Sequence, residues 1–461
     1  MNPLLTRLYG ASPVFLQNVA TTAFGYRLHR QRYGRESQIY LERLLASQGD
    51  SADAVRQAQD RRLAELVSHA CRTTEYYGSL FRSHGVDPAS IRSLDDLPRI
   101  PILERDTVRR NGAALRSSAP GKHPIVLHTS GTTGSPSAVY CDRSTRIYHY
   151  SFMSRLRHWF GVTVGMRRAT LGGRIIVPNA QTRPPFWRYD WSENNTLFSS
   201  YHLSEANLRS YCDEISRIQP AEVTGYASSV YAVARYFIKE NLPPVRPRVV
   251  MTTAETLLDH QREAIMKAFQ VPLVDHYSCT EMVIFIAQCE HGTYHIHPEY
   301  GVVEVVDTDG RPLPPGQEGD VVCTGFVNTR MPLIRYRIGD RLTLGSGTCA
   351  CGRHFPIVQR ISGRMDDVIV TPDGRMVGRL DPIFKDLTGI AEAQFVQTDV
   401  EHLTLNVVRD PSFTDNDLQV LLKETRMRVG DVIQIEVNFV ERIPRTKNGK
   451  FPAVVSRIKR P

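Results

Sequence analysis

The chain has no uninterrupted apolar run approaching the roughly 18–20 residues that a membrane-crossing helix needs. An integral membrane segment is therefore not expected. It has no internal repeat and no low-complexity tract, which sets aside solenoids and disordered linkers. It has no acidic residue before Glu36. This basic opening resembles a targeting segment in charge. However, Arg7 and several polar interruptions leave no clean apolar stretch, and secretion is not expected. A helix packed on the domain is the ordinary reading of it, and weak association with a membrane surface is the alternative. The chain also lacks any nucleic-acid-binding signature. Its 57 Lys and Arg against 48 Asp and Glu, a net charge of +9, therefore point to small polyanions rather than to DNA or RNA. Its eight cysteines are unevenly spaced and do not read as a disulfide framework, so a cytoplasmic location is expected.

What is present suggests an α/β protein. A chain of 461 residues exceeds one compact core, so at least two domains are expected. Residues 54–84 carry apolar side chains at helical spacing around Leu63, Leu66, Val67 and Cys71. Strand-like runs at 124–130, 174–178, 245–255 and 271–278 alternate with helical stretches at 228–242 and 257–269. That alternation predicts a large domain with mostly parallel sheets. From about residue 295 the sequence becomes β-branched and turn-rich, which predicts an antiparallel or barrel-like segment. The last hundred or so residues mix short strands with one helix. The predicted boundaries are 1–363 for the large N-terminal domain and 364–461 for a small, mobile α+β C-terminal domain.

Chemistry enters with "HTSGTTGSPSAVY", residues 128–140. Gly131 and Gly134 let the backbone approach an anion, and Ser130, Thr132 and Thr133 supply hydroxyl donors. An exposed Ser/Thr/Gly loop is the ordinary alternative. A Walker-type loop is excluded, because no Gly-Lys-Ser/Thr follows. Four further stretches give the loop a context. "VDHYSCTE" places Tyr277, Thr280 and Glu281 after an apolar strand, where α/β enzymes bind ligands and a carboxylate can hold Mg²⁺. "TTAETL" holds Ala254, Glu255 and Thr256 at a strand-end turn. "YRIGD" ends on Asp340, suited to accept hydrogen bonds from two ribose hydroxyls. "PRTKNGKF" carries Lys450 near the C-terminus. Taken singly, Glu281 also reads as a salt-bridge partner, Asp340 as a turn former and Lys450 as a solvated charge.

Together and in this order, these stretches resemble the adenylate-forming superfamily of acyl- and aryl-CoA synthetases. "TSGTTGSPS" is similar to its phosphate loop, "YSCTE" to its Tyr-Gly-x-Thr-Glu motif, "YRIGD" to its ribose motif, "GRMDD" to its hinge and "PRTKNGK" to its catalytic-lysine motif. The resemblance runs from about residue 60 to the end. Within the superfamily it is to the phenylacetate-CoA ligase family, and in particular to the branch found with capsular and exopolysaccharide biosynthesis. "EVTGYASSVYAVARYF" and "CACGRHFPIVQRISGRMDD" carry that finer likeness. Two positions depart from the superfamily pattern. The phosphate loop ends "GSPSA" without its lysine, and Ser278 replaces a glycine.

The resemblance implies that ATP and a carboxylic acid give acyl-AMP and pyrophosphate, and that the acyl group then passes to coenzyme A. The alternative acceptor is an amine or hydroxyl of a sugar or amino acid; a non-catalytic scaffold would have no need of Glu281, Asp340 and Lys450 together. Lys450 is implied as the mobile catalytic cation, with Glu281 and Thr280 beside it and Glu281 holding Mg²⁺. Ser130, Gly131, Thr132, Thr133 and Gly134 would grip the phosphates. Ala254, Glu255, Thr256 and Tyr277 would frame the adenine. Asp340 would hold the ribose with Arg364 nearby, and Asp366 would be the hinge. Tyr226, Ser228, Met282, Ile284 and Phe285 flank the expected acyl site and would make it largely apolar, although each also reads as core. Association into a homodimer stays open.

A second constellation is independent of the first. Cys289-x5-His295 and Cys349-x-Cys351 offer three thiolates and one imidazole, a donor set for a closed tetrahedral structural Zn²⁺. His291 and His297 are rival ligands, and four packed residues without a metal are the ordinary alternative.

Overall fold

The computed structural model describes residues 8–120, 124–128, 138–178, 180–364, 369–372, 376–377, 389–446 and 451–458. Among these, one twelve-stranded sheet organises the large domain. Five of its strands run parallel: Asn195–Ser199, Arg168–Gly172, Glu222–Tyr226, Val249–Thr253 and Leu273–Ser278. Their short apolar runs are buried on both faces, as parallel strands require. The helices Glu205–Ile218, Ala227–Lys239 and Asp259–Phe269 cover one face through Tyr211, Val230, Phe237 and Phe269. The helix Arg143–Trp159 covers the other through Phe152 and Leu156.

The β-rich segment does not form a separate barrel. Phe285–Gln288, Tyr294–Ile296, Ile357–Arg364, Tyr336–Leu344, Glu318–Gly325 and Gly301–Val306 extend the same sheet in antiparallel fashion. A separate four-stranded sheet, Gln434–Phe439, His402–Arg409, Ile390–Gln397 and Val454–Ser456, packs with the helix Asp415–Val429 around Phe395, Leu405 and Leu421. Thr414 caps that helix at the Asp417 amide, and Asp417 returns the bond to Thr414. The expected hinge residue Asp366 lies outside the described residues.

Two local expectations are corrected. The helical stretch 54–84 is two helices, Ala52–Thr73 and Glu75–Ser83, because Thr74 turns extended and caps the second at Tyr77. The run 174–178 is not a strand. It continues past the end of Arg168–Gly172, whose two flanks are already paired with Asn195–Ser199 and Glu222–Tyr226. The N-terminal helix Val14–Arg32 packs on the domain with inverted polarity. Its buried residues are Gln17, Asn18, Thr21 and Gly25, while Phe15, Leu16, Val19, Phe24 and Tyr26 face outward.

The sheet edge explains that inversion. Trp187–Asp190 is the last strand, paired on one side only. Asn18 Oδ1 accepts from the Tyr189 amide at 3.0 Å, Thr22 Oγ1 accepts from the Trp191 amide at 3.2 Å, and Gln17 Oε1 accepts from Arg188 Nε at 2.6 Å. The helix thus supplies side-chain partners where a further strand would supply backbone. Gly25 permits the contact, since a Cβ there would lie 2.0 Å from Asp190 Oδ2. No helix among the described residues is long and apolar enough to cross a membrane.

Candidate active site

The C-terminal ends of the parallel strands, and the loops beyond them, bring most of the described motif residues together. Leu273–Ser278 delivers Tyr277, whose hydroxyl donates to Asp340 Oδ2 on the neighbouring antiparallel half of the sheet. Asp340 in turn lies directly across from Arg364 in the strand register. Glu281 follows at the next turn. Its Oε1 accepts from the Tyr336 hydroxyl at 3.1 Å, and its Oε2 has no hydrogen-bond partner among the described residues. Thr280 is half-buried beside it. Tyr336, of the same motif as Asp340, orients the Glu281 carboxylate through its hydroxyl.

The electrostatics of this cluster follow from burial. Burial and the Asp340 charge push the Tyr277 phenol well above the ordinary tyrosine value, so it stays a donor. Burial and the Glu281 charge likewise push the Cys279 thiol well up. Cys279 is therefore held as a neutral thiol and is not poised as a nucleophile.

Ala254, Glu255 and Thr256 form the turn after Val249–Thr253, with Ala254 and Thr256 exposed. Glu255 ties two other parts of the molecule to this turn. It accepts from the Ser228 amide at 2.9 Å and from the Phe451 amide at 2.6 Å. Phe451 immediately follows Lys450 in the sequence, and it meets the large domain at this turn. Arg235 makes a second link, pairing with Asp410 of the small domain at 2.6 Å. Lys450 itself, and Ser130, Gly131, Thr132, Thr133 and Gly134, lie outside the described residues.

Backbone strain concentrates here without a clear sequence signal. Of the seven non-glycine residues with positive φ among the described residues, Ala254 (φ 68°), Met282 (φ 57°) and Arg335 (φ 48°) sit in or next to the motifs. The expected apolar acyl lining is also revised. Met282, Ile284 and Phe285 are fully packed in the core clusters. Tyr226 and Ser228 remain half-buried, as do Arg146, His149 and Tyr150 of the helix Arg143–Trp159. Trp187 begins the edge strand and packs on Phe198.

The second constellation also converges. The ligand atoms of Cys289, His295, Cys349 and Cys351 all lie within 4.8 Å of one another. Cys289 Sγ is 3.7 Å from Cys349 Sγ, and Cys351 Sγ is 3.5 Å from His295 Nε2. His295 Nδ1 is 3.2 Å from the Phe355 carbonyl oxygen. A carbonyl only accepts, so Nδ1 carries the proton and Nε2 presents its lone pair to the thiols. His297 is not in the group; its Nδ1 accepts from Arg155 at 2.7 Å. His291 is not in it either.

Comparison with known proteins agrees with this geometry. Residues 369–457 match the CapK C-terminal domain. Protein CapK of Staphylococcus aureus is 27% identical over 99% of this chain and 100% of its own length. The phenylacetate-coenzyme A ligase of Thermus thermophilus is 26% identical over 69% of this chain and 72% of its own. The fold matches 2-hydroxyisobutyryl-CoA ligase in its postadenylation state, in complex with R3-HIB-AMP. The TM-score is 0.69 at 20% identity, covering 87% of this chain and 89% of that one. The chain is thus similar to CapK over its whole length and to phenylacetate-coenzyme A ligases over about two thirds of it, and it shares the fold of an acyl-CoA ligase.

Proposed function

We propose that the protein condenses a carboxylic acid with ATP to give acyl-AMP and pyrophosphate, and then passes the acyl group to the thiol of coenzyme A, releasing AMP. The observation that carries this reading is the Phe451 amide bonded to Glu255, which joins the lysine loop to the nucleotide turn. A carboxylate oxygen attacking the α-phosphorus concentrates negative charge on the phosphoryl oxygens, so catalysis calls for cations and positioning rather than proton transfer. Lys450 supplies the cation from the small domain. Ser130, Thr132 and Thr133 bind the phosphates with the amides of Gly131 and Gly134. Ala254, Glu255, Thr256 and Tyr277 frame the base, and Asp340, oriented by Tyr277, takes the ribose with Arg364 alongside. The unpartnered Oε2 of Glu281 suits a Mg²⁺ ion, which would neutralise phosphate charge. Asp366 acts as the hinge on which the small domain, residues 364–461, leaves so that a thiol can enter.

The test is pyrophosphate exchange dependent on added carboxylic acid, measured with and without coenzyme A. Acid-dependent exchange followed by thioester formation supports the reading. Exchange without any thioester product would shift the acceptor to an amine or hydroxyl of a sugar or amino acid. No exchange with any acid would overturn it.

Cys289, His295, Cys349 and Cys351 would hold a structural Zn²⁺. The donor set fits: three thiols and one correctly oriented imidazole nitrogen converge, and four protein ligands leave no position for substrate. Such an ion would join the turn after Phe285–Gln288 to the loop before Ile357–Arg364. Elemental analysis of protein purified without a metal-affinity tag reads this directly.

A further inference from the structure

Charged side chains in the parallel half of the large domain are mostly matched. Arg155 pairs with Glu299 at 2.7 Å, Arg157 with Glu222 at 2.7 Å, and Arg168 with Glu193 at 2.5 Å. Three arginines break the pattern. Arg32, Arg146 and Arg174 have no carboxylate partner among the described residues, and the Nε atoms of Arg32 and Arg146 are buried without a hydrogen-bond partner there. They nevertheless gather on one side chain. The guanidinium of Arg32 lies 4.4 Å from the Tyr150 ring centroid and that of Arg146 lies 5.2 Å from it. Arg174, 5.5 Å from the Phe24 ring, adds a third charge within electrostatic reach.

Gathering like charges is unfavourable; Asp190 and Glu193 offset Arg174 from a distance without bonding it, and the effect of the cluster on its neighbours is visible. Burial alone would raise the Tyr150 phenol, yet Arg32, Arg146, Arg174 and Arg157 bring it below the ordinary tyrosine value. Burial, then Arg146, His276 and Arg32, hold His149 down at about 3. The site is therefore strongly positive, with a neutral imidazole and a phenol on its wall.

Its position connects it to the adenylation motifs. The helix bearing Arg146, His149 and Tyr150 begins just after Ala138–Cys141, the strand that leaves the glycine-rich loop. His149 Nδ1 is 2.8 Å from the Tyr300 hydroxyl, and Tyr300 packs on Phe285 at 5.5 Å. Phe285 pairs in the sheet with Ser278 of "YSCTE". Arg174 follows the C-terminal end of Arg168–Gly172, on the same end of the parallel strands as the nucleotide turn.

We propose that the acid activated by this enzyme carries a second anionic group, a carboxylate, phosphate or sulfonate distal to the carboxylate that is adenylated. Arg32, Arg146 and Arg174 receive that group, and His149 and Tyr150 wall the acyl chain between them and the α-phosphate. The inference rests on the acyl-AMP reading above. It deepens that reading by naming the substrate class, which the first expectation of an apolar pocket would have missed. Guanidinium groups suit it, because each offers a planar fork to two oxygens of a carboxylate or phosphate.

The experiment has two arms on the full-length enzyme. In the first, thermal stabilisation is measured with α,ω-dicarboxylates from succinate to suberate and with their monomethyl esters, which keep one carboxylate and lose the distal charge. A phosphono-alkanoate series extends the probe. In the second, kcat/KM for acid-dependent pyrophosphate exchange is measured with the same compounds. At least one dianionic acid should stabilise the protein where its ester does not, and should exceed that ester about tenfold or more in kcat/KM, the order of one charge-assisted contact. Arg146→Met and Arg174→Met should each abolish the preference by raising KM for the dianion, with KM for the ester and for ATP unchanged. Arg146→Lys should restore part of it. Arg143→Met, on the exposed side of the same helix and paired with Glu36, should change nothing.

Equal use of dianions and esters, or equal losses for both in the variants, would overturn the proposal. So would a raised KM for ATP or coenzyme A, which would assign the cations to the phosphates of those substrates. Dianion-specific stabilisation without pyrophosphate exchange would leave the binding site standing and defeat only the acyl-AMP reading.

Discussion

The two halves of the twelve-stranded sheet treat charge in opposite ways. In the antiparallel half, Arg335 pairs with Glu304 at 2.9 Å, Arg337 with Asp320 at 2.7 Å, and Arg353 with Glu290 at 2.7 Å. The Cys289, His295, Cys349 and Cys351 donors are grouped within that half as well. At the ligand end of the parallel half, one oxygen of Glu281 and the buried Nε atoms of Arg32 and Arg146 lack hydrogen-bond partners among the described residues, and Arg174 has no ion pair there. The antiparallel half pairs most of its charges internally, and the ligand end of the parallel half leaves several of its own for a substrate. Incompleteness of this kind locates chemistry better than burial does, because an unmatched charge costs free energy that a ligand can return.

The sharpest break in this contrast is Lys450→Ala. Pyrophosphate exchange should fall roughly 10²–10³-fold, the scale for removing one electrostatic contact to a developing oxyanion. Consumption of supplied acyl-AMP with coenzyme A should persist, since the lysine leaves before that step. Normal exchange in the variant would remove Lys450 from the α-phosphate. Glu281→Gln should come next, raising the Mg²⁺ concentration needed for half-maximal exchange about tenfold, the lower end for a perturbed metal site. Circular dichroism should show an intact fold. An unchanged Mg²⁺ requirement would reassign the carboxylate to holding Tyr336.

Cys351→Ser probes the antiparallel half and should act on stability first. A loss of about 2–3 kcal/mol would lower the melting temperature by about 5–10 °C, and the variant should purify with little zinc. Equal melting curves and no zinc in the parent protein would leave four packed side chains.

The smallest effect separates the halves by pH. Burial, aided by Arg157, holds His276 at about 3 in the folded protein, and burial with Arg146, His276 and Arg32 holds His149 there too. Their folded values are depressed, so the unfolded chain binds more protons between pH 6.5 and 3. The stability they contribute is full above about 6.5 and is lost as pH falls through that window, by up to about 1.4 kcal/mol per pH unit for each group. His276→Gln should flatten the acid limb of the melting-temperature profile. An identical acid limb would place the acid sensitivity elsewhere.

The sequence revealed what was contiguous. "YSCTE", "YRIGD" and "TTAETL" each contain their chemistry within a few residues, and the strands beneath them are short apolar runs with turn residues at their ends. The Cys-His pairs were legible because ligand type and spacing both carry information, although only the fold could decide between His295 and His297. Arg32, Arg146 and Arg174 were illegible. They come from a helix end, a helix beginning and a loop, share no spacing, and become a group only when the sheet closes the distance. The stretch 174–178 was misread because β-branched residues next to a strand look like another strand, and the sequence does not show that both neighbouring positions are taken.

The N-terminal helix carries a consequence for anyone shortening this protein. With Gln17, Asn18 and Thr22 gone, the Trp187–Asp190 strand would present bare amides and carbonyls at the margin of a long sheet, a template on which a second chain can add itself. Deleting residues 1–33 would also take Arg32 from its place over Tyr150. A truncated enzyme that precipitates and one that loses its choice of acid would thus share a single cause, an edge left without its cover.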